Sequence, residues 1–425
     1  MSYLVRGGRL IDPGSGLDAL GDLLIIDDRI GAMGQVEAAG DVKTIDATGL
    51  VVCPGLIDMH VHLREPGFET KETIATGTAA AGAGGFSTLC AEPNTRPPVD
   101  SRQRVSDALA RARQTAHVRV HPKACLTIGQ QGEAASDAKA LKAAGAIALS
   151  DDGEPVLHDE VMRDCLRGAA EAGLLVTTHC EESPRSRTIK PWAMPFAAEA
   201  DLVRRDIGLL AALPARLHFS HLSMADSLEA LAEARSRGLN ATAEVTPHHC
   251  LLSDEDVPKG DANFKVNPPL RPRGDVEALA KGMINGTIEV IASDHAPHTP
   301  EEKAQGWEQA PFGVIGLETT LPVMLTKFVH TGRMEVAQLL AKMTYNPARI
   351  LGLQSGRLSI GAPADVALLD LDAEWVVDPR QFKSRGRNCP FAGWRVKGQA
   401  VGLLVAGRTV MRDGELLSAA AKGAT

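Results

Sequence analysis

The chain has 425 residues, 45 basic and 53 acidic, for a net charge of −8, and 44% of it is hydrophobic. That length exceeds what one compact core usually holds, so a large domain plus a smaller one is expected. The acidic balance disfavours non-specific nucleic-acid binding, and no apolar run reaches the roughly 18 residues that a membrane span needs.

The first fifty residues predict short strands at Tyr3–Val5, Arg9–Ile11, Asp22–Ile26 and Arg29–Met33, punctuated by Gly7-Gly8 and Pro13-Gly14. Arg6, Arg9 and the turn fall where a signal peptide would need unbroken apolar residues, so a cytoplasmic protein is expected. Apolar strand candidates then recur at Gly55–Met59, Phe86–Cys90, Val118–Ala124, Ala146–Leu149, Leu174–Thr178, Leu217–Phe219, Asn240–Val245 and Ile288–Ala292. Helical patterns separate them at Thr73–Ala83, Arg102–Gln114, Asp159–Ala172, Ala225–Ser236 and Asp275–Asn285. The far end returns to strands at Ala364–Leu369, Trp394–Lys397 and Val401–Val410, with Asp413-Gly414 as a hairpin signal.

Eight strands alternating with helices over about 240 residues match the count and length of a (β/α)₈ barrel of the TIM type, an α/β fold. An open doubly wound sheet alternates in the same way, so the pattern alone leaves both possible. The expected division is a barrel over residues 53–355. A small β-sandwich domain would combine residues 1–52 with residues 356–425.

His60 and His62 close the first of these strands. Side chains two apart on a strand share a face, so the pair presents two imidazoles in one direction. Asp151 and Asp152 end the fourth strand candidate, His179 the fifth, His221 the sixth and Asp294 the eighth. In a barrel those positions open into the loops that carry the active site. Imidazole and carboxylate without thiolate suit zinc, manganese or iron, with zinc the default for redox-free hydrolysis. The seven cysteines are scattered without CxxC spacing, which argues against a disulfide framework or a thiolate site. Of the other histidines, His117, His121, His158, His218 and His330 read as surface or packing, and His248 and His249 as support around the site.

The motifs Asp58-Met-His-Val-His-Leu-Arg-Glu-Pro-Gly67, Glu92-Pro-Asn-Thr95, Thr246-Pro-His-His249, Asn267-Pro-Pro-Leu270 and Ser293-Asp-His-Ala-Pro-His298 together resemble the class I dihydroorotases. Ala310-Pro-Phe-Gly313 and Asn388-Cys-Pro-Phe391 extend the likeness over nearly the whole chain. The resemblance implies a metal-dependent amidohydrolase whose ligands are His60, His62, His179, His221 and Asp294, holding one or two zinc ions, with two expected. Related hydrolases often bridge two metals with a carbamylated lysine. The class I pattern has an aspartate there, and Asp151 is the bridging candidate. Lys123 is the competing lysine, expected instead to be an ordinary barrel-mouth or surface residue, and Asp58 is expected to support the strand end.

The implied reaction is the reversible cyclisation of N-carbamoyl-L-aspartate to L-dihydroorotate in pyrimidine biosynthesis, with Asp294 as general acid and base. Arg64 is the candidate grip on the substrate's α-carboxylate, its alternative being an ion pair with Glu65 or Glu69. Asn94 and His298 accompany it, Asn267 faces the imide edge, and Phe312 and Gly313 contribute backbone groups. The long loop 297–313 is expected to order over the substrate. A homodimer and a complex with aspartate carbamoyltransferase are the implied partners. Hydantoinases, dihydropyrimidinases and allantoinases share the metal logic, but Arg64, Asn94 and the strand-four aspartate disfavour them. A non-catalytic subunit is disfavoured because every ligand position is filled.

Overall fold

The computed structural model describes residues 2–37, 42–181 and 197–417. Its centre is a set of short parallel strands, mostly buried apart from the half-buried third: β1 Leu56–Val61, β2 Phe86–Ala91, β3 Arg119–Pro122, β4 Ala148–Ser150, β5 Leu175–Thr178, β6 Arg216–Phe219, β7 Ala241–Val245 and β8 Val290–Ile291. All eight coincide with the expected strands to within a few residues. β1, β2 and β3 hydrogen-bond in that order, and β4 to β8 form a second parallel sheet in chain order. Parallel bridges at Ala124–Leu149 and Val61–His295 connect the outer strands of the two sheets.

Parallel strands need crossovers, and amphipathic helices supply them by covering the outer face. The helix Ile74–Ala83 starts where Thr73 and Thr76 form a reciprocal capping box. The helices Asp159–Ala172 and Ala225–Ser236 match the expected spans, and the former ends at Gly173 in the left-handed region (φ 66°). Further helices at Ala138–Ala144, Ala197–Leu210, Val336–Met343 and Tyr345–Leu351 were not anticipated. No helix among the described residues is long and apolar enough to cross a membrane.

The chain ends meet in one nine-stranded sheet. Residues 51–54, close behind the N-terminal strands, pair antiparallel with Val366–Val376, which pairs in turn with Arg395–Val405. Where a two-sheet sandwich was expected, the hydrogen bonding is a single branched sheet. The strand Tyr3–Asp12 pairs with residues 43–46 through positions 3–6 and with residues 51–52 through positions 9–10. An irregularity between Val5 and Gly8, with Gly7 at φ 71°, lets one strand serve two partners. A buried apolar cluster draws Tyr3, Val5, Leu10, Ile25 and Val52 together with Val366, Leu368 and Leu404. The Asp413-Gly414 turn does close a hairpin, between Arg408–Arg412 and Glu415–Leu416.

Candidate active site

The ends of the strands bring four histidines and two aspartates into one buried cluster. His60 and His62 project from the end of β1, as the alternation requires. His179 follows β5, His221 follows β6 and Asp294 follows β8. His60 Nε2 lies 3.2 Å from Asp152 Oδ1 and 3.6 Å from Asp294 Oδ1. His62 Nε2 lies 3.2 Å from the same Asp294 oxygen, and His221 Nε2 lies 3.4 Å from Asp152 Oδ1. Three of the residues that build this wall, Arg64, His221 and Asp294, hold positive φ angles of 61°, 32° and 46°. Side chains other than glycine rarely adopt such angles, and they concentrate where function over-determines the backbone.

The expectation for Asp151 is corrected. Its carboxylate accepts from the Thr127 backbone N–H at 3.2 Å and from the Thr127 hydroxyl, outside the histidine cluster. Asp152 is the aspartate that faces the imidazoles, with His179 Nδ1 also 3.7 Å from its Oδ1. The strand ends at Ser150, and in the turn beyond it the two side chains part, Asp151 to Thr127 and Asp152 to the imidazoles. Lys123 is likewise not a surface residue. It is buried, paired with Glu92 and 3.2 Å from Thr177 Oγ1.

Around the cluster, carboxylates fix the imidazoles. His60 Nδ1 and Glu244 Oε1 are 2.7 Å apart, and Glu244 also meets His218 Nε2 at 3.2 Å and accepts from the His221 backbone at 3.3 Å. This leaves His60 Nε2 as the atom turned toward the two aspartates. Glu244 was not anticipated, although a glutamate in the otherwise small and apolar β7 run, Ala-Thr-Ala-Glu-Val, is itself a signal. His218 is therefore a buried member of this network. Asp58 accepts from the His60 and Ser293 backbones at 3.0 and 3.1 Å, tying β1 to the end of β8.

The residues fit a cation. Burial pushes carboxylate pKa values up, yet Asp152 and Asp294 are held well below the usual range by His60 and its neighbouring histidines. His60 in turn is raised well above the ordinary imidazole value: burial opposes this, but Asp152, Glu92 and Glu244 prevail. The cluster thus demands positive charge, and His60 Nε2 is buried with only carboxylate oxygens facing it, from Asp152 and Asp294. Donor atoms about 2.1 Å from one tetrahedral ion stand about 3.4 Å apart. The spacings of 3.2–3.6 Å match that requirement. Two triads have their ligand atoms within 4.8 Å of one another and share His60: His60 with Asp152 and His221, and His60 with His62 and Asp294.

The cluster forms the floor of a cavity of about 480 Å³. Arg64, Asn94, Asn267, Phe312 and Gly313 all line it, as does the unanticipated Lys265. Arg64 makes neither expected ion pair among the described residues. Its Nε donates to Pro297 O at 3.2 Å, while Glu65 accepts from the Ile74 backbone and from Arg111. Asn267 donates its Nδ2 to His179 Nε2 at 3.0 Å and leaves a buried Oδ1 without a partner. Asn94 Oδ1 lies 3.0 Å from His62 Nδ1, so the same amide that lines the cavity also orients a cluster histidine.

His298 stands behind Arg64, with its Nε2 2.7 Å from Phe312 O and 3.3 Å from the guanidinium. Burial, and then Arg64, Lys71 and Lys303, hold it well below the ordinary imidazole value, so it is neutral. Its Nε2–H donates to Phe312 O, and its Nδ1 accepts from Lys71 at 3.3 Å. His249 is placed as support, between Thr246 Oγ1 at 2.9 Å and Pro268 O at 2.9 Å.

Residues 49–188 match the family model described as dihydro-orotase-like. A dihydroorotase of Geobacillus thermodenitrificans is 46% identical over 391 residues, 89% of this chain and 91% of that protein. The dihydroorotase of Halalkalibacterium halodurans is 44% identical over 98% of this chain and all of its own length. Among solved structures, the dihydropyrimidinase of Brevibacillus agri superposes with a TM-score of 0.89 at 25% identity, over 98% of this chain and 96% of its own. The L-hydantoinase of Arthrobacter aurescens superposes with a TM-score of 0.90 at 27% identity, over 98% and 97%. With relatives this similar over nearly its full length, the chain belongs to the dihydroorotase family.

Proposed function

We propose that this protein is a metal-dependent dihydroorotase of the class I pattern that interconverts N-carbamoyl-L-aspartate and L-dihydroorotate. The observation that carries the reading is one cavity joining a cation-seeking His/Asp floor to an Arg64 wall. The family relatives support it. The architecture proposed is a closed (β/α)₈ barrel over residues 53–355, supported by the two parallel bridges, with a β-domain from residues 1–52 and 356–425.

His60, His62, His179, His221, Asp152 and Asp294 would hold zinc, and four histidines with two aspartates are ligands enough for two ions. When bound, the metal supplies a Lewis acid that acidifies water and polarises the ring carbonyl. Arg64 grips the substrate's carboxylate, and its planar fork orients the ring against the floor. Asn267 Oδ1 accepts from the ring's imide N–H. Asp294 takes the proton from the attacking water and passes it to the departing ring nitrogen; in the reverse direction it removes the ureido proton. The walls at Glu308–Gly313 exclude bulk water from this transfer.

The test is comparative turnover. The purified protein loaded with zinc should turn over L-dihydroorotate in preference to hydantoin and allantoin. Preference for either uncarboxylated ring would overturn the reading. Anomalous scattering from crystals soaked with dihydroorotate would count the ions and show whether Arg64 meets the carboxylate.

A further inference from the structure

The motif Asn388-Cys-Pro-Phe391 touches neither the cluster nor the cavity, yet Asn388 is almost wholly buried. We propose that Asn388 is a positioning residue that sets the width of the substrate cavity by stapling the base of the loop that walls it. The inference rests on the dihydroorotase reading above.

The loop leaves β8 through Asp294 and returns at Val314. Its two legs run side by side, with Ala296 N donating to Val314 O at 2.8 Å. Asn388 Nδ2 donates to Ala296 O at 3.1 Å on one leg and to Gly313 O at 3.0 Å on the other. Its Oδ1 accepts from the His298 backbone at 3.3 Å, and its own carbonyl accepts from Ile315 N at 2.9 Å. One amide therefore spans the leg bearing Asp294, Ala296 and His298 and the leg bearing Phe312 and Gly313.

The legs are as close as backbone allows. Gly313 sits at φ 130°, where a Cβ would come within 2.7 Å of Ala296 Cβ and 3.2 Å of His298 Nε2. A small change in leg spacing is thus passed directly to His298, which backs Arg64.

The staple is itself anchored. Gly386 lets Asn388 approach, since a Cβ there would lie 2.9 Å from Asn388 Oδ1 and 2.9 Å from Pro297 Cβ. Lys383 and Ser384 donate their backbone N–H groups to Glu318 at 2.9 and 3.1 Å, and Arg385 donates to Glu72 at 3.2 Å. Two amide donors facing two carbonyls, with an acceptor facing an N–H, make a pattern that asparagine meets and aspartate reverses.

The experiment measures kcat and KM separately, with zinc content, for wild type, Asn388→Asp, Asn388→Ala and Gly386→Ala, whose new Cβ would press on Ile315, Asn388 and Pro297. Misplacing a binding wall by a fraction of an ångström should raise KM for dihydroorotate about tenfold or more, with kcat changed less and zinc retained. An unchanged KM in folded, zinc-loaded variants overturns the proposal. So does parallel loss of zinc, fold and activity in all three, which would mark Asn388 as a folding residue. A wild type inactive on dihydroorotate would instead overturn the reading of the reaction.

Discussion

Asp151 and Asp152 are adjacent, both acidic and both buried, yet they make opposite predictions. Asp152→Asn removes the charge and one of the two oxygens that face His60, His62, His179 and His221, so zinc affinity should fall about 100-fold or more, as measured by competition with a chelator. Asp151→Asn disturbs contacts to Thr127 and the Leu126 backbone, outside the histidine cluster, and should keep its zinc. Equal metal loss in the two variants would return Asp151 to the cluster. Asp294→Asn should lower turnover per bound metal by about two orders of magnitude, and near-normal turnover in a fully metallated variant would remove it from proton transfer. For Arg64 the informative change is to lysine, which keeps the charge and loses the fork. KM for dihydroorotate should then rise sharply, and an unchanged KM would show that the guanidinium does not grip the carboxylate.

At the scale of elements, the loop 297–313 is tied down by two buried lysines. Lys303 Nζ donates to Ala262 O at 2.9 Å and Pro311 O at 2.8 Å. Lys265 Nζ donates to Ala310 O at 2.7 Å and lies 4.6 Å from the Phe312 ring centroid. Lys303→Met would leave the half-buried Pro311 carbonyl without its donor, at a cost of about 1–3 kcal/mol. The urea midpoint should fall accordingly, and cleavage by protease within residues 304–311 should quicken. Resistance equal to wild type would show that the loop holds without this tie. The parallel strands were legible where a strand buried on both faces reads as a short, mostly apolar run between turn residues, as β2, β4 and β8 do. Histidines at strand ends were legible for the same reason, since a polar group there has no packing role to explain it. The Asp151–Asp152 choice was misread because β4 is three residues long and its parity is set by tertiary pairing. Glu244 was missed, and the contacts of Lys123 and Asn388 were not foreseen, because their partners lie 184, 31 and 92 residues away.

Across the whole molecule, the C-terminal segment has two separable roles. One is to hold: the carboxylate of Asp365, almost fully buried, accepts from Arg119 on β3 at 2.9 and 3.2 Å and from the Ala406 backbone at 2.7 Å. It therefore ties the parallel strands to the terminal sheet at the point where Gly55 N, just before β1, donates to Asp365 O. The other role is to aim, through Asn388 at the loop base. If these roles are distinct, they should fail differently. Asp365→Ala leaves the Ala406 N–H without its acceptor and frees a guanidinium that is already partly hydrated, so stability should drop by about 1–3 kcal/mol. KM, turnover per folded molecule and zinc content should stay at wild-type values, because Asp365 contacts neither the cluster nor the cavity wall. Asn388 variants should show the reverse balance. If Asp365→Ala moved KM as far as Asn388→Asp does, stability and substrate positioning would be one property of the terminal sheet, and the separation drawn here would fail.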